Sequence, residues 1–140
     1  QLTKPEPTTA WHFSQPSDQN WQVGNMKNLT FENGVMRAAA LHDPAFYSPM
    51  LHLDSSRFTS LELKMRMDRG SEAQVFFSRP RGGMTEQRSV RFAVIPDNQW
   101  HIYTVDLSSN PRWRGTIGQI RIDPNQEEGS IVEIEYVRFK

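Results

Sequence analysis

Residues 61–67 constrain the fold more than any other part of the sequence, because they alternate strictly between apolar and charged side chains. In an extended chain, the four apolar side chains would point to one side and the three charged ones to the other. A helix would scatter this pattern around its axis, since its period is 3.6 residues. The segment therefore predicts a β-strand with one buried face and one solvent face, which is typical of an antiparallel sheet.

Similar runs recur along the chain, separated by turn residues. Asn33-Gly34 between two apolar runs is a strong hairpin signal, and residues 68–71 and 96–98 are further predicted turns. This pattern predicts about nine or ten strands, roughly 8–12 residues apart, as in a sandwich or a barrel. The predicted strands are 29–32, 35–41, 50–53, 61–67, 73–77, 89–95, 100–107, 117–123 and 131–139, with 45–48 as an exposed edge segment.

Length and composition narrow the class of protein. The 140 residues suit one domain, and the absence of cysteine excludes disulfides, thiolate zinc sites and cysteine nucleophiles. Sixteen basic residues balance sixteen acidic ones, which is not the charge pattern of a nucleic-acid-binding protein. No apolar run approaches the length needed to span a bilayer. Residues 1–10, rich in Thr and Pro, are predicted to be a linker or N-terminal arm, and 11–140 a single β-sandwich domain.

Several motifs of the second half resemble a known group of proteins. The segment 101–107 leads through a short loop to Trp113-Arg114-Gly115, then to Ile120-Arg121-Ile122-Asp123-Pro124 and finally to 132–137. In the first half, Asn33-Gly34 is followed by Asp43-Pro44 and Ser48-Pro49. Over about residues 20–140, this pattern is similar to the jelly-roll, galactose-binding-like carbohydrate-binding modules that are appended to bacterial polysaccharide-degrading enzymes.

The resemblance implies an all-β, two-sheet antiparallel sandwich that binds a polysaccharide or oligosaccharide and is not itself an enzyme. It implies a catalytic domain in the parent polypeptide and an extracellular or periplasmic location in a bacterium, with the leader absent from this chain. Such modules often hold one structural calcium ion between an early loop and the last strand. By that analogy the candidate metal ligands are Glu32, Asp123 and Glu135, whose oxygen atoms suit calcium.

Sugar binding requires exposed aromatic rings, which stack on the apolar faces of pyranoses, beside planar polar groups that bond the hydroxyls. Phe46 and Tyr47 lie between two prolines and are predicted to be exposed stacking rings. Each of the four tryptophans could instead be a core residue, and the Trp113 turn looks structural in the resembling modules. The candidate ligand-binding residues are His42, Phe46, Tyr47, Arg79, Glu86, Arg88, Trp113 and Arg121, with Gln74 nearby.

Arginines are concentrated in one part of the chain. Arg79, Arg81, Arg88 and Arg91 occur close together, with Glu86 as the one acid among them. Because the guanidinium group binds carboxylates and sulfates as a fork, such a surface could select an acidic polysaccharide. The alternative is a solvated face on which these arginines pair with neighbouring acids.

Two other functions stay open at this point. The first is a structural or protein-interaction accessory domain without a glycan ligand, which predicts few exposed aromatic rings and paired arginines. The second is a small hydrolase or lyase, for which Glu133 and Glu135 could provide two carboxylates on one strand face. Those two acids are also consistent with the solvent face of an outer strand. His101 and Tyr103 share a strand face, but that face is predicted to point inward.

Overall fold

The computed structural model describes residues 8–140, which form eleven β-strands and three short 3-10 turns. Because these turns have three residues each, no helix in that range could reach across a bilayer. The turns are Pro16–Asp18, Ser55–Arg57 and Leu107–Ser109. The strands are β1 (Ala10–His12), β2 (Gln22–Glu32), β3 (Val35–Tyr47), β4 (Leu53–Asp54), β5 (Ser60–Met67), β6 (Glu72–Ser78), β7 (Ser89–Ala93), β8 (His101–Asp106), β9 (Thr116–Ile117), β10 (Gln119–Asp123) and β11 (Ile131–Phe139).

Nine of the strands form two antiparallel layers, and β4 and β9 pair separately with each other. The first layer has the order β8-β5-β11-β3-β2, with β1 also paired to β11, and the second has the order β7-β6-β10-β3-β2. Strands β2 and β3 belong to both layers. The start of β3 pairs with β11, where Met36 lies opposite Ile134, and its end pairs with β10, where Phe46 lies opposite Ile122. The predicted two-sheet antiparallel β-sandwich is therefore confirmed.

The β2–β3 hairpin bends where it passes from one layer to the other. Its register shifts between the Gly24–Ala45 pair and the Met26–Ala40 pair, and Asp43 in the bend has a positive φ of 57°. The two predicted segments 35–41 and 45–48 are consequently parts of one bent strand. A sequence pattern could not show this, because the bend interrupts the period of two.

One hydrophobic core lies between the layers. It includes Leu63, Met65 and Ile134 from the first layer and Phe77 and Ile122 from the second, all with no exposed surface. The apolar positions of residues 61–67 are at most 1% exposed, so the strand predicted there is confirmed. Burial of each such side chain stabilises the fold by about 1.5–3 kcal/mol.

Trp113 closes one end of the core. Its ring lies edge-on to Phe77 at 5.1 Å and stacks on Phe139 at 6.2 Å, while its indole Nε1 donates a hydrogen bond to the Phe58 carbonyl at 2.8 Å. The side chain is 8% exposed. These contacts favour the interpretation of the Trp113 turn as structural. The ring has no open face on which a sugar could stack.

Some element bounds differ from the predictions for physical reasons. Ala10 begins β1, which pairs with β11, so the sandwich starts inside the predicted linker; residues 1–7 lie outside the described part. The predicted strand 117–123 is interrupted at Gly118, where a Cβ atom would lie 2.6 Å from the Cα of Pro80. The predicted strand 50–53 shrinks to Leu53–Asp54, because only these residues pair with β9.

Candidate functional site

Aromatic and arginine side chains meet on the outer face of the second layer. Arg121 of β10 lies opposite Tyr47 of β3 on one side and Phe76 of β6 on the other. Because directly paired residues point to the same side of a sheet, the three side chains are adjacent. The Arg121 guanidinium lies 3.9 Å from the centre of the Phe76 ring and 6.0 Å from that of Tyr47. It therefore covers Phe76, which is 4% exposed, while Tyr47 stays partly open.

A carboxylate on the same strand fixes this guanidinium. Arg121 donates from Nε and from a terminal nitrogen to the two oxygens of Asp123, both at 2.7 Å. Burial raises the pKa of Asp123, and the charge and hydrogen bonds of Arg121 oppose that rise. The same hydrogen bonds raise the pKa of Arg121. Because two parallel hydrogen bonds hold the Arg121 guanidinium, its plane is fixed. Its remaining N–H donors therefore have fixed directions, which recognition of a ligand's hydroxyl groups requires.

A second polar network continues the face toward β7. The side-chain amide of Gln74 donates to Glu86 at 2.9 Å and to the Ser89 hydroxyl at 2.8 Å. Arg91 donates to Glu86 at 2.8 Å and to Glu72 at 3.0 Å. The hydrogen bonds from Gln74 and Arg91 lower the pKa of Glu86. Glu86 is therefore an ionised, exposed acceptor at neutral pH.

These side chains line a groove of about 520 Å³, which we call the Arg121 face. That volume lies within the ~300–1,000 Å³ range of small-ligand sites. Two arginines and five carboxylates line it, so the groove carries a net negative charge: Arg91 and Arg121 against Asp43, Glu72, Glu86, Asp123 and Glu127. Anionic ligands would be repelled here, whereas hydroxyl groups would find many acceptors.

A glycine on β2 makes room for the Tyr47 ring. A Cβ atom at Gly24 would lie 3.0 Å from Cε2 of Tyr47 and 3.7 Å from its hydroxyl oxygen. The ring therefore lies over the Gly24 backbone, and it borders the Arg121 face beside Arg121. Its position depends on the missing side chain at Gly24.

The structure brings three of the predicted ligand-binding residues together: Tyr47, Glu86 and Arg121 all belong to the face just described or to its border. The neighbouring prediction for Phe46 is corrected. Its side chain has no exposed surface, because it points inward from the strand position next to Tyr47. In an extended segment only one of two successive rings can face outward.

The other predicted ligand-binding residues lie elsewhere. His42 is exposed in the bend of β3. Arg79 and Arg88 belong to the loop between β6 and β7, and the Arg79 guanidinium occupies the space beside Gly115. The Nε atom of Arg88 is buried without a hydrogen-bond partner in the described part of the chain. Trp113 is a core residue, as its contacts show.

The three predicted calcium ligands do not form one site. Asp123 belongs to the second layer and is paired with Arg121, whereas Glu32 and Glu135 line a groove on the first layer. Glu135 is in turn 3.0 Å from Nζ of Lys64. Within residues 8–140, no three His, Cys, Asp or Glu side chains are grouped as a metal centre requires. The proposed ligand set is therefore corrected, and calcium binding itself stays a prediction.

The two carboxylates considered for hydrolysis are each paired with a cation. Glu133 accepts two hydrogen bonds of 3.0 Å from Arg66, and Glu135 pairs with Lys64. They lie on the solvent side, as one interpretation predicted, but β11 is a central strand and not an outer one. Each acid is therefore held by a cation, and neither has the unpaired surroundings that a general acid needs.

Sequence reasoning missed Phe76 as part of the site. The sequence did contain a sign of this role. Phe76 shares a strand face with the polar residue Gln74, so it is an aromatic residue on an otherwise polar face. The sequence did not show which strand lies beside β6. Strand β10 inserts between β6 and β3, and this order places Arg121 between the two aromatic rings.

The fold places the chain among the jelly-roll β-sandwich domains, in agreement with the predicted class. No protein-family model and no curated protein sequence matches it. Solved structures do: a point mutant of a carbohydrate-binding module of family 29 has a TM-score of 0.64 at 14% identity, over 96% of this chain and 91% of that one.

Two further similar structures contain sugars. A variant of CBM29-2 complexed with cellohexaose has a TM-score of 0.66 at 15% identity, over 96% of this chain and 90% of that one. Another variant, complexed with mannohexaose, has a TM-score of 0.64 at 13% identity, over 98% and 93% of the two chains. At these identities the likeness establishes a shared fold.

Proposed function

We propose that this domain is a non-catalytic carbohydrate-binding module and that the Arg121 face binds the sugar chain. The observation that carries the proposal is the row formed by Tyr47, Arg121 and Phe76, which ends in a network of carboxylates and an amide. The Tyr47 ring supplies an apolar surface for a pyranose. Arg121, Gln74 and Glu86 offer donors and acceptors for its hydroxyls.

The residue types on this face also occur among the positions changed in the similar structures. Variants of CBM29-2 made to probe ligand recognition include changes of a tyrosine, and of an arginine and an aspartate two positions apart in that chain. The Arg121 face carries the same residue types, and Arg121 and Asp123 are also two positions apart. Two members of that series are complexes with neutral hexasaccharides.

The charges on the face favour a neutral glycan. Arg91 is shared between Glu72 and Glu86, and Arg121 is paired with Asp123, so carboxylates of the protein already balance the positive charge that would attract a sugar carboxylate or sulfate. Binding of an acidic polysaccharide stays a prediction only for the loop arginines outside this face, such as Arg79. We further propose that the domain directs a catalytic domain of a longer bacterial polypeptide to its substrate outside the cytoplasm.

Binding to an array of neutral and acidic polysaccharides, with calcium and with a chelator, tests the proposal. We expect retention on one class of neutral glycan and weaker retention of Tyr47→Ala, by roughly 5- to 30-fold for 1–2 kcal/mol. Arg112→Gln, an exposed change away from the face, is the matched control. If the folded protein bound no glycan, the structural or protein-interaction alternative would replace this function.

A further inference from the structure

A second, larger groove lies on the outer face of the first layer. Its volume is about 750 Å³, and we call it the Trp100 groove. Strands β3 and β11 form its floor, through residues such as Ala39, Ile131 and Glu133. One wall consists of β1 and the β2–β3 turn, where Ser14 packs against Gly34. The function proposed above does not use this groove.

Trp100 forms part of the opposite wall. It precedes β8 and leans over β5, with the Arg66 guanidinium 4.7 Å and the Lys64 ammonium 5.8 Å from its ring centre. The other three tryptophans are buried: Trp11, Trp21 and Trp113 are 1%, 2% and 8% exposed. Trp100 is thus the partly exposed tryptophan of the molecule, and its indole Nε1 makes no hydrogen bond within residues 8–140.

Fixed polar groups surround this ring. Glu133 is held by both donors of Arg66 and is 16% exposed, and Glu135 is held by Lys64. Arg37, in contrast, is exposed on the floor and lies within ion-pair distance of no carboxylate in the described part of the chain. Its guanidinium fork is therefore available to a ligand.

We infer that the Trp100 groove is a second carbohydrate-binding site, which takes a neutral pyranose chain. Trp100 stacks on a sugar ring, and Arg37 with the fixed carboxylates bonds its hydroxyls. Three acids and two arginines line the groove, so the charge balance does not favour an anionic ligand: Glu32, Glu133 and Glu135 against Arg37 and Arg66. The inference rests on the proposed function, and it makes the module bivalent.

Bivalency has a physical consequence. The two faces lie on opposite sides of one rigid sandwich, so they engage different stretches of polysaccharide. Two weak sites that bind one insoluble polymer increase the apparent affinity well beyond that of either site alone.

Titration calorimetry and tryptophan fluorescence with the same glycan test the inference. Cellohexaose and mannohexaose are the first probes, followed by the hexasaccharide of whichever polysaccharide the array retains best. We expect two sites per chain in the unaltered protein. Tyr47→Ala should keep one site, and sugar binding at that site should change the emission of Trp100. Such a change reports on the Trp100 groove, because the Arg121 face contains no tryptophan.

The complementary variants separate the two faces. Trp100→Ala and Arg37→Gln should each keep the Tyr47-dependent site and weaken the second one about tenfold, or 1.4 kcal/mol. Trp100→Phe retains an aromatic ring but should remove the emission change. Ile102→Ala, a change of an exposed residue on the same sheet face, serves as the control. Circular dichroism establishes that each variant is folded.

The outcomes are distinct. One site per chain, weakened by Tyr47→Ala and accompanied by unchanged emission, would leave the proposed function intact and overturn the second site. One site weakened by Trp100→Ala and unaffected by Tyr47→Ala would support the groove and contradict the assignment of the Arg121 face. No binding of any glycan by the folded protein would overturn both.

Discussion

The guanidinium of Arg121 lies 3.9 Å from the centre of the Phe76 ring, and one of its edges, formed by Nε and a terminal nitrogen, donates two hydrogen bonds of 2.7 Å to Asp123. The aromatic ring supports one face of the guanidinium, and the carboxylate fixes its rotation. The other face and the remaining donors can approach a ligand. Both contacts depend on the planar shape of the guanidinium group. We therefore expect them to be lost when Arg121 is replaced by lysine, whose ammonium group is not planar.

Arg121→Lys tests that dependence. Lysine keeps the charge opposite Asp123 but loses the fork and the flat stacking surface, so we expect glycan affinity to fall at least roughly tenfold. The free energy of unfolding should fall less than in Arg121→Ala, which leaves a buried carboxylate unpaired and costs about 3–5 kcal/mol. Calorimetric binding and urea denaturation of both variants measure the two effects. Equal affinities of Arg121→Lys and the unaltered protein would show that charge alone matters.

Gly24→Ala should impair binding without touching the ligand. The added Cβ atom would lie 3.0 Å from Tyr47, so the ring must move by a few tenths of an ångström. We expect weaker glycan binding and a stability loss below about 1 kcal/mol, since Gly24 has an ordinary backbone conformation and alanine also restricts the unfolded chain. Gly83→Ala is the matched control, because nothing lies within 4 Å of its Cβ position. If both variants bound alike, the Tyr47 ring position would not contribute to recognition.

The sequence predicted individual strands better than it predicted the site. Alternation located residues 61–67 correctly, because that pattern depends on neighbouring positions in the chain. Tyr47 and Arg121 were both predicted as ligand-binding residues, but their adjacency depends on the pairing of β3 with β10, which are far apart in sequence. Phe46 was misassigned since either of two neighbouring rings can face outward. Local patterns define which residues share a face of one strand, and only the strand order defines which faces meet.

Gly70→Ala is expected to be among the most destabilising changes at a glycine. Gly70 has a φ of 112°, and a Cβ atom there would lie 2.5 Å from the Cβ of Asn125. Asn125 has no exposed surface and donates to the Arg69 carbonyl at 3.1 Å and to the Ser130 hydroxyl at 3.0 Å. Backbone strain and displacement of this buried amide should together cost roughly 2–4 kcal/mol. Thermal unfolding beside Gly83→Ala checks this, and similar melting temperatures would contradict the close approach.

The buried acid Glu62 should make stability depend on pH. Burial favours the neutral form of Glu62, but hydrogen bonds from Lys140 and Tyr136 and the nearby Arg138 outweigh it and lower the pKa of Glu62. A lowered pKa in the folded state means that this carboxylate stabilises the fold above the pKa of the unfolded chain. That stabilisation is lost as pH falls through the folded pKa.

Glu62→Gln isolates this contribution. The variant keeps the shape of the side chain but loses the charge, so we expect it to be about 1–3 kcal/mol less stable at neutral pH. The difference from the unaltered protein should shrink as pH falls below the ordinary range of a glutamate, because Glu62 itself then becomes neutral. Urea denaturation at a series of pH values measures the difference. Glu135→Gln is the matched control, since its partner Lys64 is partly exposed and such pairs contribute little. A difference that stayed constant down to acidic pH would show that Glu62 acts through its shape and hydrogen bonds and not through its charge.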